Sequence, residues 1–201
     1  MYKRQTHPEL GAVPPAEFVP IAERSGLIGP LTTTVLDQSL AAVAAWSAQG
    51  IDLSVAVNLS ARSLHDADLV DEVDRLLRRH SVPAGRLTLE ITEGSIMADP
   101  ARAIAVLHRL RDLGCRLSVD DFGTGYSSLS YLKRLPVHEV KIDQSFVIGL
   151  RDTGEDLAIV RAIVDLGRHM GLEVVAEGVE DRSTWDPVSY THLTLPTILR
   201  V

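Results

Sequence analysis

Residues 116–128 read RLSVDDFGTGYSS, and this stretch indicates the class of fold. Apolar residues alternate with Ser118 and Asp120, which is the two-residue period of a β-strand with one apolar and one polar face. Glycines at 123 and 125 then permit a sharp turn, and the serines at 127 and 128 can cap a following helix. The stretch therefore predicts a strand, a loop and a helix, with carboxylates where the strand ends.

The same unit recurs along the rest of the chain. Short strand-like runs alternate with longer helical patterns, the order that is typical of βα units and a mainly parallel sheet. The predicted strands are residues 53–60, 86–92, 116–120, 139–143 and 172–177. The predicted helices are residues 15–25, 31–49, 68–79, 100–113, 127–134 and 155–170.

Each predicted strand has one apolar face and one face with polar groups near its C-terminal end. A TIM-like (β/α) barrel explains this pattern, because the apolar face packs on outer helices and active-site groups lie at the C-terminal mouth. A doubly wound open sheet is the alternative, but its strands would be apolar on both faces. We therefore predict an α/β fold of the barrel type.

The composition limits the classes of function. With 201 residues, of which 45% are hydrophobic and 23% charged, the chain predicts one packed domain. A formal charge of -7 argues against a nucleic-acid polymer as partner. No run reaches the roughly 18 apolar residues of a membrane span, so we expect a cytoplasmic segment without membrane contact. The single cysteine, Cys115, is expected to be a small buried residue.

The two ends of the chain depart from the repeating pattern. Residues 1–5 and residues 187–201 show no periodicity that continues it. We expect both segments to be non-native, adaptor-like sequence, and residues 6–186 to form one partial domain.

Oxygen ligands gather at the ends of the predicted strands. Adjacent Asp120 and Asp121 repel each other unless a cation lies beside them. A capping pair on a surface turn is the simpler reading of two such aspartates, but the serines already supply caps. Three further strand ends carry Asn58, Glu90 and Glu177. This all-oxygen set favours Mg²⁺ or Mn²⁺, and two such ions about 4 Å apart can hydrolyse a phosphodiester.

Lys141 is predicted to point to the same interior as these ligands. An interior lysine is costly unless it meets carboxylates or an anionic substrate. A structural ion pair with Asp120 or Asp143 is one interpretation. The other is that Lys141 orients an attacking water or stabilises charge in the transition state.

Five short motifs in order resemble the EAL family of cyclic-di-GMP phosphodiesterases. They are NLS at 58–60, EITE at 90–93, DDFGTGYSS at 120–128, KID at 141–143 and EGVE at 177–180, and the resemblance covers residues 6–185. It implies hydrolysis of cyclic di-GMP to linear pGpG with two divalent ions, Mg²⁺ or Mn²⁺. Other possible functions are a receptor that binds cyclic di-GMP without cleavage and a signalling scaffold.

The resemblance also implies a role for each residue of the site. One ion is held by Asn58, Glu90 and Asp120, with Asp120 bridging to a second ion held by Asp121 and Glu177. Lys141 positions the nucleophilic water, so that Lys141, Glu177 and Asp121 are the expected catalytic residues.

Supporting residues and partners follow from the same resemblance. Glu93 is expected to anchor the loop that contains Gly123, Thr124 and Gly125, and Asp143 to support Lys141. In the family this loop links the metal site to dimerisation, so we expect a homodimer of the intact protein, with upstream sensor or GGDEF domains.

The family pattern extends beyond both ends of the chain. Its first-strand Glu corresponds to a position upstream of Met1, and Arg4 stands where the family has a phosphate-binding Arg. Further strands follow the region that matches here. We therefore expect an incomplete barrel, without the first strand and the C-terminal βα units, and an inactive fragment.

Overall fold

The computed structural model describes residues 5–7, 9, 11–125, 129–148, 154–179 and 199–200. It consists of a six-stranded parallel sheet with helices between most of its strands and a small antiparallel pair of strands near the N-terminus. The strands are β1 Gln5–His7, β2 Gly11–Val13, β3 Val55–Leu59, β4 Leu87–Thr92, β5 Arg116–Phe122, β6 Glu139–Ile142, β7 Glu173–Ala176 and β8 Leu199–Arg200. The helices are α1 Pro15–Ser25, α2 Ile28–Ala48, α3 Ala61–Leu64, α4 Leu69–His80, α5 Glu93–Met97, α6 Pro100–Asp112, α7 Leu129–Leu132, α8 Gln144–Ile148 and α9 Gly154–Met170.

The order of the strands decides between the two predicted architectures. From β3 to β7 each strand pairs in parallel with the next one along the chain. A doubly wound sheet reverses its strand order at a switch point, so that alternative is wrong. Parallel strands that are neighbours in chain order, without a reversal, are typical of a (β/α) barrel. Within the described residues the sheet stays open, with β7 and β8 at its edges.

The apolar strand face forms the core beneath the helices. Leu89 of β4, Leu117 of β5 and Ile142 of β6 are fully buried, and they belong to one cluster with apolar residues of the helices. This face follows from the strand alternation, because every second side chain points toward the helical layer. No helix in the described part of the chain is long and apolar enough to cross a membrane.

The predicted long elements are present, with ends that differ by a few residues. The structure adds β1, β2 and the short helices α3, α5 and α8, which are too short to show a helical period in the sequence. α3 and α5 begin at capped positions, where Ser60 and Thr92 accept hydrogen bonds from the backbone N–H groups of Ser63 and Ser95. β8 lies in the tail of residues 187–201, which we expected to be non-native, and it pairs with the first two residues of β3.

A carboxyl group is buried on the interior face of the sheet, below the strand ends. Glu139 is 4% exposed and accepts a hydrogen bond of 2.8 Å from the hydroxyl of Ser118 on the neighbouring strand. Burial raises the pKa of Glu139, and the nearby charges of Glu173 and Glu90 act in the same direction. The fold therefore favours the protonated form of this side chain.

We expect Glu139→Gln to remove part of the pH dependence of stability. Because the folded-state pKa of Glu139 is raised, its stabilising contribution is complete below the ordinary pKa and is lost as pH rises through the folded value. The free energy of unfolding of the variant, relative to that of the wild type, should therefore increase with pH. Urea denaturation from acidic to neutral pH measures this difference. Glu17→Gln, at an exposed site on α1, is the control, and parallel curves for both variants would contradict the account.

Candidate functional site

Lys141 lies at the centre of a cluster of carboxylates at the C-terminal ends of the strands. Its Nζ atom is 2.7 Å from Glu90 Oε1, 3.2 Å from Asp120 Oδ1 and 2.5 Å from Glu177 Oε1. The Lys141 side chain is only 3% exposed, and the Glu90 side chain only 2%. β4, β5, β6 and the end of β7 thus bring four of the predicted site residues together.

The charge of this cluster is unbalanced. Three carboxylates face one ammonium group, which leaves two negative charges if all of them are ionised. Buried charges are tolerated only when they are paired or coordinate a cation. The cluster therefore has the chemistry of a cation site that a lysine compensates in part.

A β-bulge sets the position of Asp121. The pairing of β5 with β6 shifts register between Val119 and Phe122, and Asp121 has a φ of 53°. Regular alternation would place Asp121 opposite Asp120, on the helix-facing side of the sheet. Because the bulge adds one residue, Phe122 takes the next apolar position, opposite Ile142. The backbone N–H of Asp121 donates to Asp120 Oδ1 at 3.2 Å.

Asn58 lies on the side of the site that is exposed to solvent. It is the register partner of Glu90 in the pairing of β3 with β4, so the two side chains share one face of the sheet. Unlike Glu90, it is exposed to solvent. The sheet position of Asn58 thus agrees with the predicted set, and its amide lies where a ligand could approach from solution.

Glu93 lies against the glycine-rich loop that follows β5. Its residue exposure is 7%, and Cβ of an alanine at Gly125 would lie 2.8 Å from its carboxyl carbon. Only glycine allows this approach without displacing the carboxyl group. Thr124 stays within the loop, since its hydroxyl donates to the backbone carbonyl of Asp121 at 2.9 Å. The predicted neighbours Glu93 and Gly125 are therefore in contact.

Asp143 contacts the bulge and the start of α8. Its Oδ1 accepts hydrogen bonds from the backbone N–H of Ser145, at 2.9 Å, and from the Ser145 hydroxyl, and its carboxyl group is also hydrogen-bonded to that of Asp121. Burial would raise the pKa of Asp143, but these hydrogen bonds outweigh it and lower the pKa. These contacts connect Asp143 to the predicted metal ligand Asp121.

The donor chemistry of the site fits Mg²⁺ or Mn²⁺. The candidate ligands are carboxylate oxygens and one amide oxygen, which hard divalent cations prefer. The carboxyl groups of Asp121 and Asp143 are in contact, and a neighbouring cation would reduce the repulsion between them. Within the described residues no three Asp, Glu, His or Cys side chains are arranged to hold an ion. The Lys141 ammonium instead occupies the centre of the carboxylate cluster.

Several predicted features lie outside the described residues, and others were not predicted. Arg4 and the serines at 127 and 128 belong to the parts that the structure does not describe. The bulge at Asp121 and the contacts of α8 with the loop and with Gly178 were not predicted from the sequence. An adjacent Asp-Asp pair that interrupts the alternation of β5 was the available signal for the bulge. The buried thiol of Cys115 was predicted, and burial raises its pKa to about 12.

Comparison with known proteins gives matches over almost the whole chain. The EAL domain family matches residues 1–189. The chain is 47% identical over 178 residues to the bifunctional diguanylate cyclase/cyclic di-GMP phosphodiesterase MucR of Pseudomonas aeruginosa, covering 88% of the chain and 26% of MucR. It is 40% identical over 177 residues to the cyclic di-GMP phosphodiesterase PdeR of Escherichia coli, covering 88% of the chain and 27% of PdeR. The chain thus spans about a quarter of the length of these relatives.

Solved structures confirm the fold. The PaMucR phosphodiesterase in its c-di-GMP complex matches with a TM-score of 0.92 and 43% identity, over 96% of this chain and 78% of that one. The EAL enzyme Bd1971 in its cAMP- and cyclic-di-GMP-bound form matches with a TM-score of 0.88 and 31% identity, over 94% of this chain and 53% of that one. The predicted TIM-barrel-like architecture is therefore correct.

We expect Lys141→Met to destabilise the protein strongly when divalent cations are absent. The substitution removes the ammonium group and leaves Glu90 and its neighbours as buried carboxylates without their counter-charge, which typically costs about 3–5 kcal/mol. Urea denaturation at neutral pH measures the loss. The double variant Lys141→Met, Glu90→Gln should recover part of it. Lys133→Met, at an exposed position, is the control, and equal losses for the two single variants would contradict the account.

Proposed function

The chain belongs to the EAL domain family, and on that premise we propose that it hydrolyses cyclic di-GMP to linear pGpG with two divalent ions, Mg²⁺ or Mn²⁺. The observation that carries this proposal is the buried cluster of three carboxylates around Lys141. Such a cluster repels an anionic phosphodiester unless cations lie between them. Bound divalent ions would supply that charge, activate a water and stabilise the leaving oxygen.

The assignment of residues to the two ions is part of the proposal. Asn58, Glu90 and Asp120 would hold one ion, and Asp120 would be shared with a second ion held by Asp121 and Glu177. The placement of these residues on neighbouring strand ends supports it. The bulge also supports it, because it frees Asp121 from the helix-facing side of β5.

In the proposed reaction a water oxygen attacks one phosphorus of the ring. One phosphorus–oxygen ester bond breaks, the attacking water loses a proton, and the released ribose oxygen takes one up, so that the opened ring is the linear dinucleotide with a terminal phosphate. Lys141 Nζ donates a hydrogen bond that orients the water and stabilises negative charge in the transition state. Burial of the lysine strengthens this effect, since the surroundings are poorly solvated.

The supporting roles and partners complete the proposal. Glu93 holds the loop of Gly123, Thr124 and Gly125 beside the site, and its contact with Gly125 supports this role. A homodimer, upstream sensor or GGDEF domains, a cytoplasmic location and a substrate contact of Arg4 stay predictions. The name of MucR describes a diguanylate cyclase as well as a phosphodiesterase. A cyclase domain is the kind of accompanying domain that we expect here.

The decisive experiment compares the chain as it stands with a version that carries the residues encoded before Met1 and after residue 186 in an uninterrupted gene. Each is incubated with cyclic di-GMP and Mn²⁺, and pGpG is measured by chromatography. We expect pGpG from the extended protein and little or none from residues 1–201 alone. Robust turnover by the shorter chain would show that the upstream Glu is not required.

Asp121→Asn in the extended protein tests the metal assignment. Loss of a ligand removes transition-state stabilisation more than ground-state binding, so kcat should fall by about a hundredfold or more while KM changes little. Asp112→Asn, at the exposed end of α6, is the matched control. Unchanged kcat at saturating Mn²⁺ would exclude Asp121 as a ligand. Binding of cyclic di-GMP without pGpG in the unsubstituted protein would instead indicate a receptor.

A further inference from the structure

Residues 142–146, where β6 ends and α8 begins, contact both parts of the chain that carry the ligands of the second ion. On one side Asp143 is hydrogen-bonded to the carboxyl group of Asp121. On the other side the backbone carbonyl of Ile142 accepts a hydrogen bond of 3.2 Å from the backbone N–H of Glu177. One short segment therefore touches Asp121 and Glu177 from between them.

Close packing reinforces both contacts. A Cβ atom at Gly123, in the loop after Asp121, would lie 3.1 Å from the ring of Phe146. A Cβ atom at Gly178, directly after Glu177, would lie 2.9 Å from Cβ of Gln144. Contacts under 3.0 Å are sterically forbidden between carbon atoms that cannot move apart. Both glycines allow the backbone to approach the segment more closely than other residues would.

The segment is held by hydrogen bonds of its own and by a buried anchor. Asp143 accepts hydrogen bonds from Ser145, and the backbone N–H of Phe146 donates to the carbonyl of Asp143 at 3.2 Å. Ile142 is fully buried in the core. We therefore expect a displacement of one end of the segment to move the other end as well.

We propose that residues 142–146 act as a brace that sets the separation of Asp121 and Glu177, with Asp143 and Gln144 as positioning residues of the second ion's site. The inference rests on the proposed function, which assigns Asp121 and Glu177 to that ion. The brace would also explain how Asp121 keeps its unusual backbone conformation. Asp121 has a left-handed backbone, which is unfavourable for a non-glycine residue, and the hydrogen bond to Asp143 helps to hold it.

The brace has a consequence that a local role of Gly178 would not have. An alanine at 178 should push Gln144 away and so disturb Asp121, although residue 178 follows β7 and residue 121 lies on β5. Groups that orient metal ligands typically change metal affinity by about 10- to 100-fold when they are altered. The brace thus links a backbone position beside Glu177 to the loop that follows Asp121.

The experiment uses the 201-residue chain with Gly178→Ala and its control Gly50→Ala. Both glycines have nearly the same φ, +74° and +75°, but nothing lies within 4 Å of a Cβ at Gly50. Both variants therefore bear the backbone strain of alanine at positive φ, and only Gly178→Ala adds the collision with Gln144. Hydrogen–deuterium exchange of residues 121–125 is measured without metal, and Mn²⁺ affinity is measured by electron paramagnetic resonance.

We expect Gly178→Ala to speed exchange at residues 121–125 and to weaken Mn²⁺ binding about tenfold, while Gly50→Ala changes neither. Gly178→Ala combined with Gln144→Gly removes the colliding Cβ atom and should restore both readings. Asp143→Ala should also weaken Mn²⁺ binding, and Asp143→Asn, which keeps the hydrogen bonds, should retain it.

Equal exchange at residues 121–125 in Gly178→Ala and Gly50→Ala would overturn the brace. Failure of Gln144→Gly to restore the Gly178→Ala variant would overturn it as well. If neither the 201-residue chain nor the extended protein bound Mn²⁺, the metal-dependent function would fail, but the exchange data would still decide whether the brace exists. The two proposals can therefore fail separately.

Discussion

The site depends on the ion pairs that the buried ammonium group of Lys141 forms with the carboxylates of Glu90, Asp120 and Glu177. In a poorly solvated interior, attraction between opposite charges and repulsion between like charges are both stronger than in water. One lysine balances only one of three ionised carboxylates, which leaves an excess of negative charge when all three are ionised. Such an excess is the physical reason for the proposed dependence on divalent cations, and it requires the strand ends to be held together firmly.

The barrel supplies this support through the two faces of its strands. The apolar face packs beneath the helices, and residues such as Leu89 and Leu117 are fully buried there. The interior face carries the polar groups, with Glu139 and Ser118 hydrogen-bonded below the cluster. Because neighbouring strands are parallel and in chain order, their C-terminal ends meet at one mouth. The same alternation of side chains along the strands thus forms the apolar core and brings the proposed metal ligands together.

Strand alternation allowed the sequence to predict the parallel strands, the barrel order and the meeting of Glu90, Asp120, Lys141 and Glu177. It could not predict the bulge at Asp121, since a shift of register depends on how Phe122 packs opposite Ile142. The short helix α8 was also missed, because five residues show no helical period. Its contacts with Gly123 and Gly178 join positions far apart in the chain, and no local pattern encodes them. The family motifs include both glycines, but they do not show which residues pack against them.

The most direct test of the account is the position of bound metal. A crystal of the protein grown with Mn²⁺ and cyclic di-GMP would give anomalous scattering peaks at each manganese ion. We expect two peaks about 4 Å apart, one within coordination distance of Asn58, Glu90 and Asp120 and the other beside Asp121 and Glu177. Peaks elsewhere, or cyclic di-GMP bound at the strand ends with no manganese between it and the carboxylates, would contradict the account.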